Sequence, residues 1–228
     1  MSRIHTATIL ERKRIADDAL EISFSRPASF DFVAGQYIQV KLPNLLHADP
    51  RGSSRVFSIA SSPNDRQRVS IAFRRSASGF KRSLEQLPLG GHVLLEGAHG
   101  FFTLRHAPRR PIVFVAGGIG ITPQLSMIRF ATEEKLAAPI TLLYLNRSEK
   151  SAVYLDELAV LARRSTHLSI RSTFKAVDMP DVRQAADDFP TAVWHLAGPA
   201  GMVDRVRSLL SLSAVDELSV CTEEFVGY

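Results

Sequence analysis

A single cysteine, Cys221, stands among the 228 residues. No disulfide, thiolate zinc site or cysteine-ligated iron–sulfur cluster can be assembled within the chain from one thiol. That scarcity fits a reducing compartment. Metal-ligand spacing is missing too: the seven histidines are scattered, and His92, His99 and His195 read as satisfied structural residues, so no metal is expected. No Ser-His-Asp or paired-carboxylate arrangement can be argued from spacing. Long apolar runs of membrane-span length are absent, and Met1-Ser2-Arg3-Ile4-His5-Thr6 lacks the apolar core of a signal peptide. The expectation is a soluble cytoplasmic protein, a monomer, with no membrane partner. Acidic residues are outnumbered 23 to 28, giving a net charge of +5 and a sequence pI of about 9.7. There is no basic tail and no zinc-finger spacing, so nucleic acid is not the expected partner; the excess suits the steering of an acidic protein.

What is present falls into two parts. Residues 1–106 read as β. Ile4–Arg14, Ala19–Ser25, Tyr37–Lys41, Val56–Ser61, Val69–Arg74 and Val93–Glu96 are strand candidates divided by Gly, Pro, Asn and Asp. Six short strands make a small antiparallel barrel or sandwich, interrupted by one short helix, Ser83–Leu87. Residues 107–228 alternate strand and helix. Ile112–Ala116 is apolar throughout, as in a parallel strand buried on both faces. Thr141–Leu145, Leu168–Phe174, Val193–Ala197 and Leu218–Cys221 are further strands, with helices to about Leu136, over Tyr154–Arg164 and over Met202–Leu212. This is a doubly wound α/β unit of about five parallel strands. The boundary falls near Arg105–Arg110, where His, Pro and Arg collect.

Three stretches at strand ends point to chemistry. Gly117-Gly118-Ile119-Gly120-Ile121-Thr122-Pro123 follows the first α/β strand and opens a helix, with Thr122 as N-cap and Pro123 as first helical residue. Its glycines let the backbone approach a ligand, and free N–H groups at a helix start attract a phosphate. The spacing is Gly-x-Gly-x-x-Pro rather than the common dinucleotide fingerprint, so a glycine-rich packing turn is the competing reading. Gly198-Pro199-Ala200-Gly201 repeats the strand–glycine–helix arrangement at the same crevice edge of the sheet. Thr222–Tyr228 leaves that edge as well; it is either a lid on a planar ligand or a tail whose Phe225 tucks into the domain interface. In the first part, Arg55-Val56-Phe57-Ser58 alternates an arginine and an aromatic on one side with Val56 and Ser58 on the other. That pairing suits a flat ligand carrying a phosphate, or else is a barrel strand with a solvated arginine.

Taken in order, Arg-x-aromatic-Ser, then Gly-Gly-x-Gly-x-Thr-Pro, then an aromatic tail resembles the ferredoxin–NADP reductase family over nearly the whole chain. Phe32-Val33-Ala34-Gly35-Gln36-Tyr37, Gly97-Ala98-His99-Gly100-Phe101-Phe102 and Leu196–Met202 agree with it. The resemblance implies an antiparallel β-barrel FAD-binding domain (1–106) followed by an α/β doubly wound parallel-sheet NAD(P)-binding domain (107–228). It implies FAD rather than FMN, NAD(P)H as hydride donor, and a separate acceptor, which is an acidic ferredoxin or flavodoxin or an oxygenase component. Arg55, Val56, Phe57 and Ser58 would line the flavin, Phe73 and Arg74 would meet it by main chain, and Lys81, Arg82 and Ser83 would hold its pyrophosphate. Gly118, Gly120, Thr122 and Gly198 would hold the nicotinamide dinucleotide, with Arg147 at its adenosine end. Ser58 and Tyr228 would stand at the reacting ring. Glu224, or its neighbour Glu223, would relay a proton or else be a solvated tail carboxylate.

The chain departs from the family pattern at Phe57, where tyrosine is usual, at Ala197, where cysteine is frequent, and at Ala98, where proline is common. Phe57 keeps a stacking surface and drops a hydroxyl. Two rival readings follow: a reductase of freely diffusing flavin or ferric iron, and a non-catalytic nucleotide-sensing module on the same scaffold.

Overall fold

A computed structural model describes residues 3–104, 110–174 and 179–225. The β-rich part is one six-stranded antiparallel sheet. Its strands are β1 (Ile4–Ala16), β2 (Ala19–Ser25), β3 (Tyr37–Lys41), β4 (Ser54–Ser58), β5 (Arg68–Arg74) and β6 (His92–His99), in the order β4-β3-β6-β1-β2-β5. The two outer strands meet, because the chain past β4 crosses to β5. Ile59 bridges Ile71, and the Ala60 N–H donates to the Ser70 carbonyl at 2.7 Å. The sheet thus closes into a barrel, and closure removes the open edge. The expected strand Val56–Ser61 therefore divides, its first half pairing with β3 and its second half with β5. Inward-facing apolar side chains, among them Ile22, Phe24, Ile38, Phe73 and Leu95, fill the barrel.

One helix, α1 (Gly79–Gln86), lies between β5 and β6. It starts four residues before the expected Ser83. Ser78 is the N-cap, its hydroxyl accepting from the Lys81 N–H, and Gly79 is required at the first helical position because a Cβ there would sit 2.2 Å from the Ala48 carbonyl oxygen.

The second part carries the parallel strands β7 (Ile112–Gly117), β8 (Ile140–Leu145), β9 (Leu168–Thr173), β10 (Val193–Gly198) and β11 (Val220–Glu224), ordered β11-β10-β7-β8-β9. Helices α2 (Ile121–Glu133) and α3 (Leu155–Arg164) cover one face, where Leu125, Ile128 and Leu158 meet Phe114 and Leu142. Helices α4 (Met179–Asp188) and α5 (Ala200–Leu212) cover the other, where Val182, Val203 and Val206 meet Val113 and Trp194. The sequence pattern predicts no helix at α4. Of the expected boundary Arg105–Arg110, residues 105–109 lie outside the described residues. No helix among the described residues is long and apolar enough to cross a membrane.

The barrel and the α/β layer are joined by a polar clamp. Arg129 of α2 reaches Glu157 of α3 at 2.6 Å, the Ala60 carbonyl at 2.8 Å and Glu21 of β2 at 3.5 Å; Tyr154 donates to the same Glu21 at 2.8 Å. Burial lowers the affinity of the Arg129 guanidinium for its proton, but the Glu157 hydrogen bond and the charges of Glu21 and Glu157 outweigh it, and the net shift is upward. Ser126 donates to the Ser61 carbonyl at 2.6 Å beside it.

Candidate functional site

Alternation along β4 aims Arg55 and Phe57 at one side and Val56 and Ser58 at the other. Phe57 is only 7% exposed. Its ring lies 6.1 Å from Phe80 in a stacked pose and 5.8 Å from Phe73, and the Arg55 guanidinium lies 5.4 Å from the Phe80 ring centroid. The ring expected to offer a stacking surface lies beside Phe73 and Phe80. A phenyl ring carries no polar atom that must reach water, and this one packs with Phe73, itself fully buried. Val56 is exposed on the opposite face, while Ser58 is buried.

At the start of α1, Asp49 from the β3–β4 connection is the hub. Its carboxylate accepts from the Phe80 N–H at 2.9 Å, the Ser78 hydroxyl at 2.7 Å, the Arg51 N–H at 2.9 Å and the Arg55 guanidinium at 2.5 Å. These bonds hold the carboxyl well below its usual range, the Phe80 N–H contributing most. Ser83 is fully buried one turn on. Its hydroxyl donates to the Gly79 carbonyl and accepts from the His47 N–H, so it does not face an incoming pyrophosphate. Lys81 stands nearer, donating to the Arg74 carbonyl at 3.2 Å; Arg82 is exposed. The Arg74 side chain ties the barrel to the α/β layer through Asp18 and the Ser151 carbonyl.

Across the crevice the two glycine loops touch. A Cβ on Gly120 would come within 2.5 Å of Gly198 Cα, and Gly118 holds φ +55°. Contrary to expectation, Thr122 is not the N-cap and Pro123 is not the first helical residue. Gly118–Gly120 form a 3-10 turn that runs straight into α2 at Ile121, and the buried Thr122 hydroxyl donates back to the Ile119 carbonyl at 2.6 Å. Arg147 is exposed just past β8, at the carboxyl edge of the sheet.

The C-terminal strand closes the arrangement. Glu223 pairs with Ala197 and Glu224 with Gly198 in the register of β10 and β11. Consecutive strand residues face opposite ways, so only one carboxylate turns to the barrel. It is Glu223: the Ser58 hydroxyl donates to it at 2.7 Å, while Glu224 is exposed. Burial pushes the Glu223 carboxyl above its usual value, against the pull of the Ser58 hydrogen bond. Phe225 packs against the α2-side core and its N–H donates to the Gly198 carbonyl at 2.9 Å, so the tail tucks in at this residue. Tyr228 lies outside the described residues.

Sequence reasoning missed Asp49 altogether, and only strand register separates Glu223 from Glu224. Asp49-Pro50-Arg51-Gly52 reads as an ordinary turn, with nothing to tie it to a helix some thirty positions later.

The Arg55 guanidinium and the Arg51 N–H meet the Asp49 carboxylate, and Lys81 stands within the electrostatic reach of both arginines. The Lys81 ammonium is pushed below its usual value, first by burial and then by Arg55 and Arg51. Cations in surplus beside a helix start suit a phosphate, and the residues present fit the group. No cluster of three or more metal-ligating side chains occurs among the described residues.

Comparison with known proteins bears on the same halves. Residues 6–104 match the oxidoreductase FAD-binding domain model and residues 114–207 the oxidoreductase NAD-binding domain model. The chain is 36% identical over 157 residues to ferredoxin–NADP reductase B of Sorangium cellulosum, covering 67% of this chain and 62% of that protein. It is 25% identical over 226 residues to the reductase component of propane 2-monooxygenase of Rhodococcus jostii, covering 92% and 60%. The chain therefore spans about three-fifths of the length of these curated relatives. The ferredoxin–NADP+ reductase structure of Plasmodium falciparum superposes with a TM-score of 0.81 at 18% identity, covering 98% of this chain and 97% of that one.

Proposed function

This chain belongs to the ferredoxin–NADP reductase family, and from that premise we propose that it is an FAD-dependent oxidoreductase that takes hydride from NAD(P)H and passes electrons to a separate acceptor protein. One observation carries the reading. Ser58 of the barrel and Glu223 of the α/β layer meet in a 2.7 Å hydrogen bond at the edge where both glycine loops lie. A bound flavin would supply the capacity to accept two electrons as hydride and release them onward.

The protein's own part is alignment and the handling of protons. Arg55, Lys81 and the first N–H groups of α1 supply charge and donors for the flavin phosphates. Gly118, Gly120 and Gly198 keep side chains out of the path of the dinucleotide. The buried Ser58 hydroxyl and Glu223 carboxyl form a two-member relay: protonated Glu223 can return a proton through Ser58 Oγ, and burial favours that protonated form. Exposed Arg147 and Lys150, with no acidic residue in Leu145-Asn146-Arg147, favour NADPH through its 2′-phosphate. The domains divide near residues 106 and 107. For the acceptor, relatives named as oxygenase reductase components support an oxygenase partner or ferredoxin, and the net charge of +5 favours an acidic surface.

A second reading, a reductase of freely diffusing flavin, is favoured by Phe57. With its ring 7% exposed and packed beside Phe80, Phe57 presents little surface for stacking on a flavin. Dialysis after loading with FAD separates the two: retained yellow colour supports the electron-transfer flavoprotein, complete loss supports the flavin reductase. A protein that takes up no flavin at all is neither.

A further inference from the structure

We propose that Asp49 is a built-in phosphate surrogate, an internal anion seated where the flavin phosphate binds, so that a phosphorylated flavin must displace it. The proposal rests on the flavin reading above and adds the residue that sets selectivity between flavins with and without a phosphate.

The argument starts from what the carboxylate touches. One oxygen accepts from the Phe80 N–H and the Ser78 hydroxyl; the other accepts from the Arg51 N–H and the Arg55 guanidinium. A backbone N–H at a helix start, a hydroxyl and a guanidinium are the donors that a phosphate oxygen uses. Asp49 supplies two oxygens and one negative charge to the Arg55 guanidinium, with Arg51 and Lys81 adding positive charge in the neighbourhood. The side chains of Asp49 and Arg55 are 3% and 11% exposed, and the Phe80 N–H, the Ser78 hydroxyl and the Arg55 guanidinium are engaged while the carboxylate stays.

The backbone carrying Asp49 is strapped over the helix. A Cβ on Gly79 would sit 2.2 Å from the Ala48 carbonyl oxygen and 2.7 Å from that of His47. The His47 N–H donates to Ser83 Oγ at 2.9 Å, and the His47 ring lies 2.9 Å from Gln86 Oε1. Opening the seat therefore means lifting residues 47–49 or swinging Asp49 out. The Arg55 guanidinium, reaching Asp49 at 2.5 Å from strand β4, adds a charged donor from outside the helix to the same seat. Exchange of one anion for another leaves the donors satisfied, so the penalty is the reduced fraction of molecules with the seat open. Riboflavin, which has no phosphate, does not meet that penalty.

The test titrates apoprotein with riboflavin, FMN and FAD, read by quenching of flavin fluorescence, for the wild type and for Asp49→Asn. The amide keeps the size of the side chain and removes the charge that competes for Arg55. The expected result is FMN and FAD binding at least ~10-fold tighter in the variant, with riboflavin unchanged. Asp49→Ser gives the same pattern, and it decides the matter if circular dichroism shows that the asparagine variant is unfolded. Equal or weaker FAD binding in a folded variant overturns the proposal and makes Asp49 a support for Arg55. If no flavin binds either protein, the flavin reading falls and this inference with it. Riboflavin binding without any variant effect overturns the inference alone.

Discussion

Ser58 and Glu223, 165 positions apart, share a 2.7 Å hydrogen bond between the barrel and the last strand of the α/β layer. Burial raises the carboxyl above its usual value near 4.5. A carboxyl whose folded pKa is raised contributes stability that is fully present below the unfolded value and is lost as pH rises through the folded value. Glu223→Gln cannot ionise. Its melting temperature relative to wild type should therefore climb as pH rises above the usual carboxyl value. A parallel shift at every pH, measured by thermal melts, would remove the buried carboxyl from the account.

Arg129 links Glu157, Glu21 and the Ala60 carbonyl across the same boundary. Its side chain is 16% exposed, so it lies between a surface pair and a fully buried one. Arg129→Met should cost about 2 kcal/mol in chemical unfolding, because Glu21 and Glu157 lose their cation while half-buried. Replacing Glu21 and Glu157 by Gln in the same variant should recover part of that loss, which a simple packing defect would not allow.

Much of the architecture was open to reading from the sequence. Ala19–Ser25 and Tyr37–Lys41 have the expected bounds, because alternating and apolar patterns with Gly and Pro between them fix strand existence well. Ile112–Ala116 is buried at every position, as a continuous apolar run demands. The failures have local physical causes. Ser78 and Ser83 are both competent caps, and the contacts of Ala48 with Gly79 and of Asp49 with Ser78 and Phe80 favour the first. Helix α4 hides behind Pro180, which an N-terminal turn tolerates, and a polar stretch with few apolar positions. The partners of Asp49, and the choice of Glu223 over Glu224, depend on long-range placement that no local pattern encodes.

Arg147 tests nucleotide preference. Its exposed guanidinium at the carboxyl edge of β8 suits a 2′-phosphate. Arg147→Ala should raise KM for NADPH by about 10-fold, the equivalent of one charge-assisted hydrogen bond, and change KM for NADH little. Equal changes for both nucleotides, in steady-state assays with ferricyanide as acceptor, would take Arg147 out of phosphate recognition.

The central claim is that NAD(P)H delivers hydride to a flavin held by this chain. Anaerobic titration of the FAD-loaded protein with NADPH and then NADH, followed by visible absorbance, tests it most directly. The flavin band should bleach with about one equivalent of nucleotide, as a two-electron transfer requires, and recover when an acceptor is added. A loaded flavin whose band stays unchanged in excess nucleotide would contradict the account.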